Sequence, residues 1–175
     1  MYLTREPGGT VIGEKVRKIL LDNSNEIDSY TELFLYLADR SEHIVEILKP
    51  RLLNGEIVIS DRYFDSTIAY QRAGRGISRK EIETIKELGI FRYLEPEITF
   101  LLDVDPLISQ KRVENPDRIE EENIEFHKAV REAYLKEAEK NPERIIAINA
   151  KDTIENIHRI IKGKVLDLIK EVGYE

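Results

Sequence analysis

The feature that most narrows the possible folds is the stretch Ile57-Val58-Ile59-Ser60-Asp61-Arg62-Tyr63-Phe64-Asp65-Ser66-Thr67-Ile68-Ala69-Tyr70-Gln71, where a β-branched run stops at an acid and a base. Three consecutive apolar residues without alternation predict a strand covered on both faces, as in a parallel sheet. Ligands of such sheets gather at the carboxyl ends of the strands. Asp61 and Arg62 stand at that end. A helix from Phe64 to Arg72 sets Ser66 one turn from Tyr70 and Thr67 one turn from Gln71, two adjacent polar rows that can floor a ligand site. The plain alternative is a surface ion pair or a helix cap.

The rest of the chain repeats the strand-then-helix rhythm. Tyr2-Leu3 reads as the tail of a strand, and Glu6-Pro7-Gly8-Gly9 as a tight turn. Thr10 caps a helix through Leu21, with Val11, Ile12, Val16, Ile19 and Leu20 as its buried side. Ser29 with Glu32 makes a capping-box signature for a long helix ending near Pro50, striped by Leu33, Tyr36, Leu37, Ile44, Ile47 and Leu48. Tyr36 and Arg40 are one turn apart, so an aromatic ring and a guanidinium can stack on a base and bond its edge. A core tyrosine beside a salt-bridged arginine is the competing reading.

Asn54-Gly55 turns the chain into the strand described above. Beyond Gln71, Ala73-Gly74-Arg75-Gly76 reads as a basic loop, and Ser78 with Glu81 starts a boxed helix ending at Gly89. A strand from Ile98 ends at Asp103 and Asp105, which read as caps for a helix from Pro106. Residues 113–123 are polar, interrupted by Pro116 and poor in apolar anchors, as suits a mobile lid. Phe126, Val130, Ala133, Tyr134 and Ala138 fit a helix, Arg144 to Asn149 a last strand, and Ile154, Ile157, Ile161, Val165 and Leu168 a closing helix. Alternating strands and helices over 175 residues imply one α/β domain with a parallel sheet.

Composition removes several chemistries. Zero cysteines exclude disulfides, thiol catalysis and cysteine-ligated metals, and the three scattered histidines, His43, His127 and His158, make a histidine metal cluster unexpected. Any metal is expected to be held by oxygen. A net charge of -7 argues against a nucleic-acid coat, while a small anionic substrate needs only local reversal of sign, for which Arg5, Arg17, Arg40 and Arg62 are candidates. No apolar stretch is long enough for a membrane span, and a cytoplasmic protein is expected.

The segments TREPGGT (4–10), LFLYLADR (33–40), SDRYFDSTIAYQ (60–71) and DRIEEENIEFHKAVREAYL (117–135) together resemble the bacterial thymidylate kinases, from residue 2 to about residue 160. The resemblance implies a P-loop NTPase-like parallel sheet flanked by helices, of nucleoside monophosphate kinase type. It implies transfer of the γ-phosphoryl group of ATP to dTMP, giving dTDP, with Mg2+ bridging phosphates. Such catalysis is mostly positioning and charge neutralisation.

By the same resemblance Tyr36 stacks on thymine, Arg40 bonds its edge, and Thr67 and Gln71, with Ser66 beside them, complete the pyrimidine site. Arg17 and Arg62 hold the acceptor phosphate, and Glu6 lies near the sugar. Tyr70 crowds the ribose 2′ position, which favours a deoxynucleotide. Asp61 orients magnesium or its waters, and Arg112 or Arg118 is the arginine supplied by the lid. A homodimer is the expected assembly.

One departure is plain: no G-x-x-x-x-G-K-[ST] phosphate loop occurs in residues 1–175. The strand before that loop is central in the family sheet, so two neighbouring strands are expected to lack a partner and to uncover apolar faces. An amino-terminally shortened thymidylate kinase is the expectation that follows. The alternatives are a non-catalytic dTMP-binding protein and a kinase for another nucleoside monophosphate or a deoxynucleoside.

Overall fold

The computed structural model describes residues 1–91, 94–171 and 173. Strand β1 (Tyr2–Arg5) pairs in parallel with β2 (Val58–Asp61), and β3 (Thr99–Asp103) with β4 (Ile145–Asn149). The strands thus form two parallel pairs flanked by helices, as the α/β reading of the sequence expects. Among the described residues each strand has one hydrogen-bonded neighbour, and no bridge joins β2 to β3. The run Ile57–Ile59 is not covered on both faces. Leu3 and Ile59 are register partners, 73% and 45% exposed, and Leu102 of β3 is 50% exposed.

Helix α1 (Val11–Leu21) begins as expected, with the Thr10 hydroxyl accepting from Gly13 N at 2.9 Å. Its predicted buried side is only partly correct. Leu20 is buried, whereas Val11, Ile12 and Ile19 are exposed. Helix α2 (Ser29–His43) is capped by the Asp28 carboxylate rather than by Ser29, which leaves Glu32 to turn inward. The chain passes Pro50 without stopping: a wide π-helical turn over Ile44–Leu48 leads into α3 (Lys49–Leu53). Proline lacks an N–H and would crowd the carbonyl four residues back, and the widened turn relieves both.

Helix α4 (Phe64–Thr67) continues through a second π-helical segment, Ile68–Gly74. Ser78 and Glu81 form the expected capping box for α5 (Arg79–Lys86). Asp105 caps α6 (Pro106–Gln110) by accepting from Leu107 N at 2.9 Å, and Asp103 takes a two-pronged bond from Arg131. These acids at the end of β3 are therefore structural. Helices α7 (Ile124–Lys140) and α8 (Ile154–Glu171) complete the chain, and no residue of α8 is fully buried. Among the described residues no helix is long and apolar enough to cross a membrane.

Two apolar clusters fix the relation of α2 to α4. Leu33, Leu37, Ile44 and Leu48 pack with Phe64 and Ile82, and Ala69 packs with Ile119, Phe126, Val130 and Ala133. The first clamps α2 onto α4; the second clamps α4 and its continuation onto α7.

Candidate functional site

On α2, Glu32, Tyr36 and Arg40 recur every four residues and so share a face. On α4 and its continuation, Thr67 and Gln71 do the same. These rows meet. Arg40 Nη1 donates to Thr67 Oγ1 at 2.7 Å, and Gln71 Nε2 donates to Glu32 Oε1 at 3.1 Å. Between those two contacts stands Tyr36, whose phenol is pushed up by burial, with the Glu32 charge adding to it and the Arg62 guanidinium opposing it.

Arg40 is only 2% exposed. Its Nε donates to Glu6 Oε2 at 2.7 Å, and its guanidinium lies 5.2 Å from the Tyr63 ring centroid and 4.9 Å from that of Phe64, within cation–π range. The other Glu6 oxygen is 2.8 Å from His43 Nδ1. Both oxygens of Glu6 are thus engaged inside the protein rather than open to a sugar.

Arg62 ends β2 in an unusual way. Its φ of 70° is in the left-handed region, a conformation that costs a non-glycine residue about 1–2 kcal/mol. The Ser60 hydroxyl donates to the Arg62 carbonyl at 2.8 Å, and the guanidinium lies 5.1 Å from the Tyr70 ring centroid. Among the described residues Arg62 has no salt bridge, so an exposed cation is left for an anion. Asp61 beside it is exposed, and no cluster of three or more acidic or histidine side chains suited to a metal occurs among the described residues.

The wall opposite α2 holds a residue that the sequence offered only as a helix core position. Tyr134 of α7 donates to Ser66 Oγ at 2.6 Å, and its ring stands edge-on to Tyr70 at 6.2 Å. Burial pushes its phenol up to about 12, so it remains a neutral donor. Tyr134 sits one turn from Val130 in an apolar stripe, and nothing in that spacing separates a core ring from a pocket ring.

Glu32, 1% exposed, organises the far end. Arg75 grips it at both oxygens, each at 2.9 Å, and Arg118 Nη2 donates to Oε2 at 2.6 Å. Burial alone would raise the Glu32 carboxyl, and the two guanidiniums outweigh it and leave the group below its ordinary value. Arg118 also donates to the Leu20 carbonyl at 2.7 Å, and Arg75 pairs with Glu122. Together with buried Ile119, these bonds dock the segment 113–123 against α1, α2 and α7.

The structure therefore brings together Glu6, Tyr36, Arg40, Arg62, Ser66, Thr67, Tyr70, Gln71 and Arg118. Arg17 and Arg112 make no hydrogen bond or ion pair with these side chains among the described residues. Arg17 Nη1 donates to the Pro7 carbonyl at 2.9 Å, at the turn after β1, and exposed Arg112 lies in the turn after α6 with no side-chain bond among the described residues.

Comparison with known proteins shows the family. The family model described as Thymidylate kinase matches residues 1–161. A thymidylate kinase of Maridesulfovibrio salexigens is 43% identical over 179 residues, covering 96% of this chain and 82% of that protein. One from a Sulfurihydrogenibium species is 49% identical over 160 residues, covering 90% and 78%. The crystal structure of thymidylate kinase from Ehrlichia chaffeensis superposes with a TM-score of 0.75 at 39% identity, over 95% of this chain and 80% of that one.

Proposed function

This chain belongs to the thymidylate kinase family of phosphotransferases, and from that premise we propose that it moves the γ-phosphoryl group of ATP to dTMP, giving dTDP, with α2 and α4 holding the acceptor. The family chemistry is that of a nucleoside monophosphate kinase. The observation that carries the choice of acceptor is the meeting of Tyr36, Arg40, Thr67, Tyr70 and Gln71 beside an arginine without an ion pair, Arg62.

The Tyr36 ring offers a stacking surface for a pyrimidine, and Arg40 Nη2, without a hydrogen bond among the described residues, is a donor for a base carbonyl. Arg62 is the cation for the acceptor phosphate. The Tyr70 ring is braced edge-on by Phe126 at 6.1 Å and by Tyr134, and a fixed ring there leaves little room for a ribose 2′ hydroxyl. Arg118 reaches this cluster from the lid segment, and Arg17 and Arg112 are further candidate cations for phosphate.

A single exposed carboxylate, Asp61, fits Mg2+ held chiefly by substrate phosphates and water, since that ion keeps most of its waters and uses one or two carboxylates. When bound, magnesium neutralises phosphate charge as it is transferred. Residues 1–175 contain no G-x-x-x-x-G-K-[ST], so this reading of side chains covers the acceptor half of the reaction.

The test is ATP-dependent ADP release with dTMP, dUMP, CMP and AMP in competition, with the phosphorylated product identified. Preference for dTMP and formation of dTDP are expected. Preference for AMP would overturn the pocket, and dTMP binding without dTDP would overturn the transferase assignment for these residues.

A further inference from the structure

His43 is fully buried, yet nothing in the pocket just described gives it a task. Both of its ring nitrogens are engaged: Nδ1 lies 2.8 Å from Glu6 Oε1, and Nε2 lies 2.7 Å from Thr4 Oγ1. An ionised carboxylate oxygen can only accept, so the imidazole donates to Glu6 through Nδ1. The Thr4 hydroxyl can rotate to suit whatever Nε2 presents. The ring has no room to drift, because a Cβ at Gly9 would come 2.5 Å from His43 Cδ2. That glycine lets the turn after β1 lie directly on the imidazole.

Glu6 passes the restraint on, through its 2.7 Å bond to Arg40 Nε, and Arg40 Nη1 is held in turn by Thr67 at 2.7 Å. Thr4, His43, Glu6, Arg40 and Thr67 thus form one buried row from β1 through α2 to α4. A guanidinium is planar, so fixing Nε and Nη1 also fixes where Nη2 points. The geometry points to His43 as a positioning residue: acting through Glu6, it sets the plane of Arg40 so that Nη2 meets an acceptor on the pyrimidine edge. This rests on the reading of Arg40 as the group that reads the base.

The consequence is selectivity. Thymine presents an acceptor at position 4 where cytosine presents an amino donor. A donor held in one plane therefore favours dTMP over dCMP, and a guanidinium free to swing does so less.

The experiment measures KM and kcat for dTMP and Ki for dCMP in the wild type and in His43→Phe, His43→Asn, Thr4→Val and Arg40→Met. His43→Phe keeps a ring but loses both bonds. It should raise the dTMP KM and shrink the dTMP-over-dCMP preference by about tenfold each, the scale of one lost hydrogen bond to a charged group, with kcat within about threefold. His43→Asn, whose amide nitrogen falls near the place of Nδ1, should restore most of both.

An unchanged preference in His43→Phe overturns the inference even where the melting temperature falls. If His43→Phe does not fold, Thr4→Val carries the test, with an expected loss of preference of about threefold, about half a hydrogen bond's worth; an unchanged preference there overturns it equally. Arg40→Met separates the two claims. Preference intact in that variant defeats the base-edge reading itself, whereas preference lost there and kept in His43→Phe defeats only the role of His43.

Discussion

The seam between α2 and α4 and the exposed faces of the two strand pairs are opposites. In the seam, the buried carboxylates are met by donor side chains, Glu6 by Arg40 and His43, Glu32 by Gln71, Arg75 and Arg118. At the strands, apolar Leu3, Ile59 and Leu102 stand in solvent, and β2 lacks a hydrogen-bonded bridge to β3. The proposed acceptor pocket is therefore held by helix-to-helix polar contacts and two apolar clusters, not by continuity of the sheet. A site built this way keeps its shape where the sheet is interrupted.

The largest expected effect tests the seam. Glu32→Ala leaves Arg75 and Arg118 without their carboxylate, and should cost about 3–5 kcal/mol in urea unfolding, the scale for breaking a buried ion pair. The same group has an acid signature. Its carboxyl is held below the ordinary 4.5, so its contribution is complete above that pH and is lost as pH falls through the depressed folded-state value. Acid unfolding of Glu32→Gln should lack that limb.

Next comes Arg62→Gly. It removes the cation proposed for the acceptor phosphate and at the same time relieves the left-handed backbone. A loss of about 100-fold in kcat/KM for dTMP is expected, with unfolding free energy unchanged or higher by about 1 kcal/mol. Tyr36→Ala should weaken dTMP binding about tenfold with little change in kcat, because stacking acts on the ground and transition states alike.

The smallest effect belongs to the strands. Leu3→Ser and Ile59→Thr should each change unfolding free energy by less than about 0.5 kcal/mol, since both side chains are already in water. A large loss from either would mean that the strand faces, and not the seam, carry the fold.

Much of the pocket could be read from the sequence because its rows are local. Tyr36 with Arg40, and Thr67 with Gln71, follow from helical spacing alone, and the Asp61-Arg62 pair was marked by the end of an apolar run. What escaped was set by distant contacts. His43 gains its meaning from Thr4 and Glu6, 39 and 37 residues away, and Tyr134 from Ser66, 68 residues away. Glu32 looked like half of a capping box until Asp28 took the cap and two arginines from beyond residue 74 claimed its carboxylate. The exposed faces of Leu3 and Ile59 also escaped local reading, because the cover of a strand depends on what packs over it.

Amide hydrogen exchange with and without dTMP shows whether α2 and α4 hold the nucleotide between them. Addition of dTMP should slow exchange in Ser29–His43 and in Phe64–Gly74 together, with Thr99–Asp103 and Ile145–Asn149 unaffected. Protection confined to the β3–β4 pair, with both helices unchanged, would contradict it.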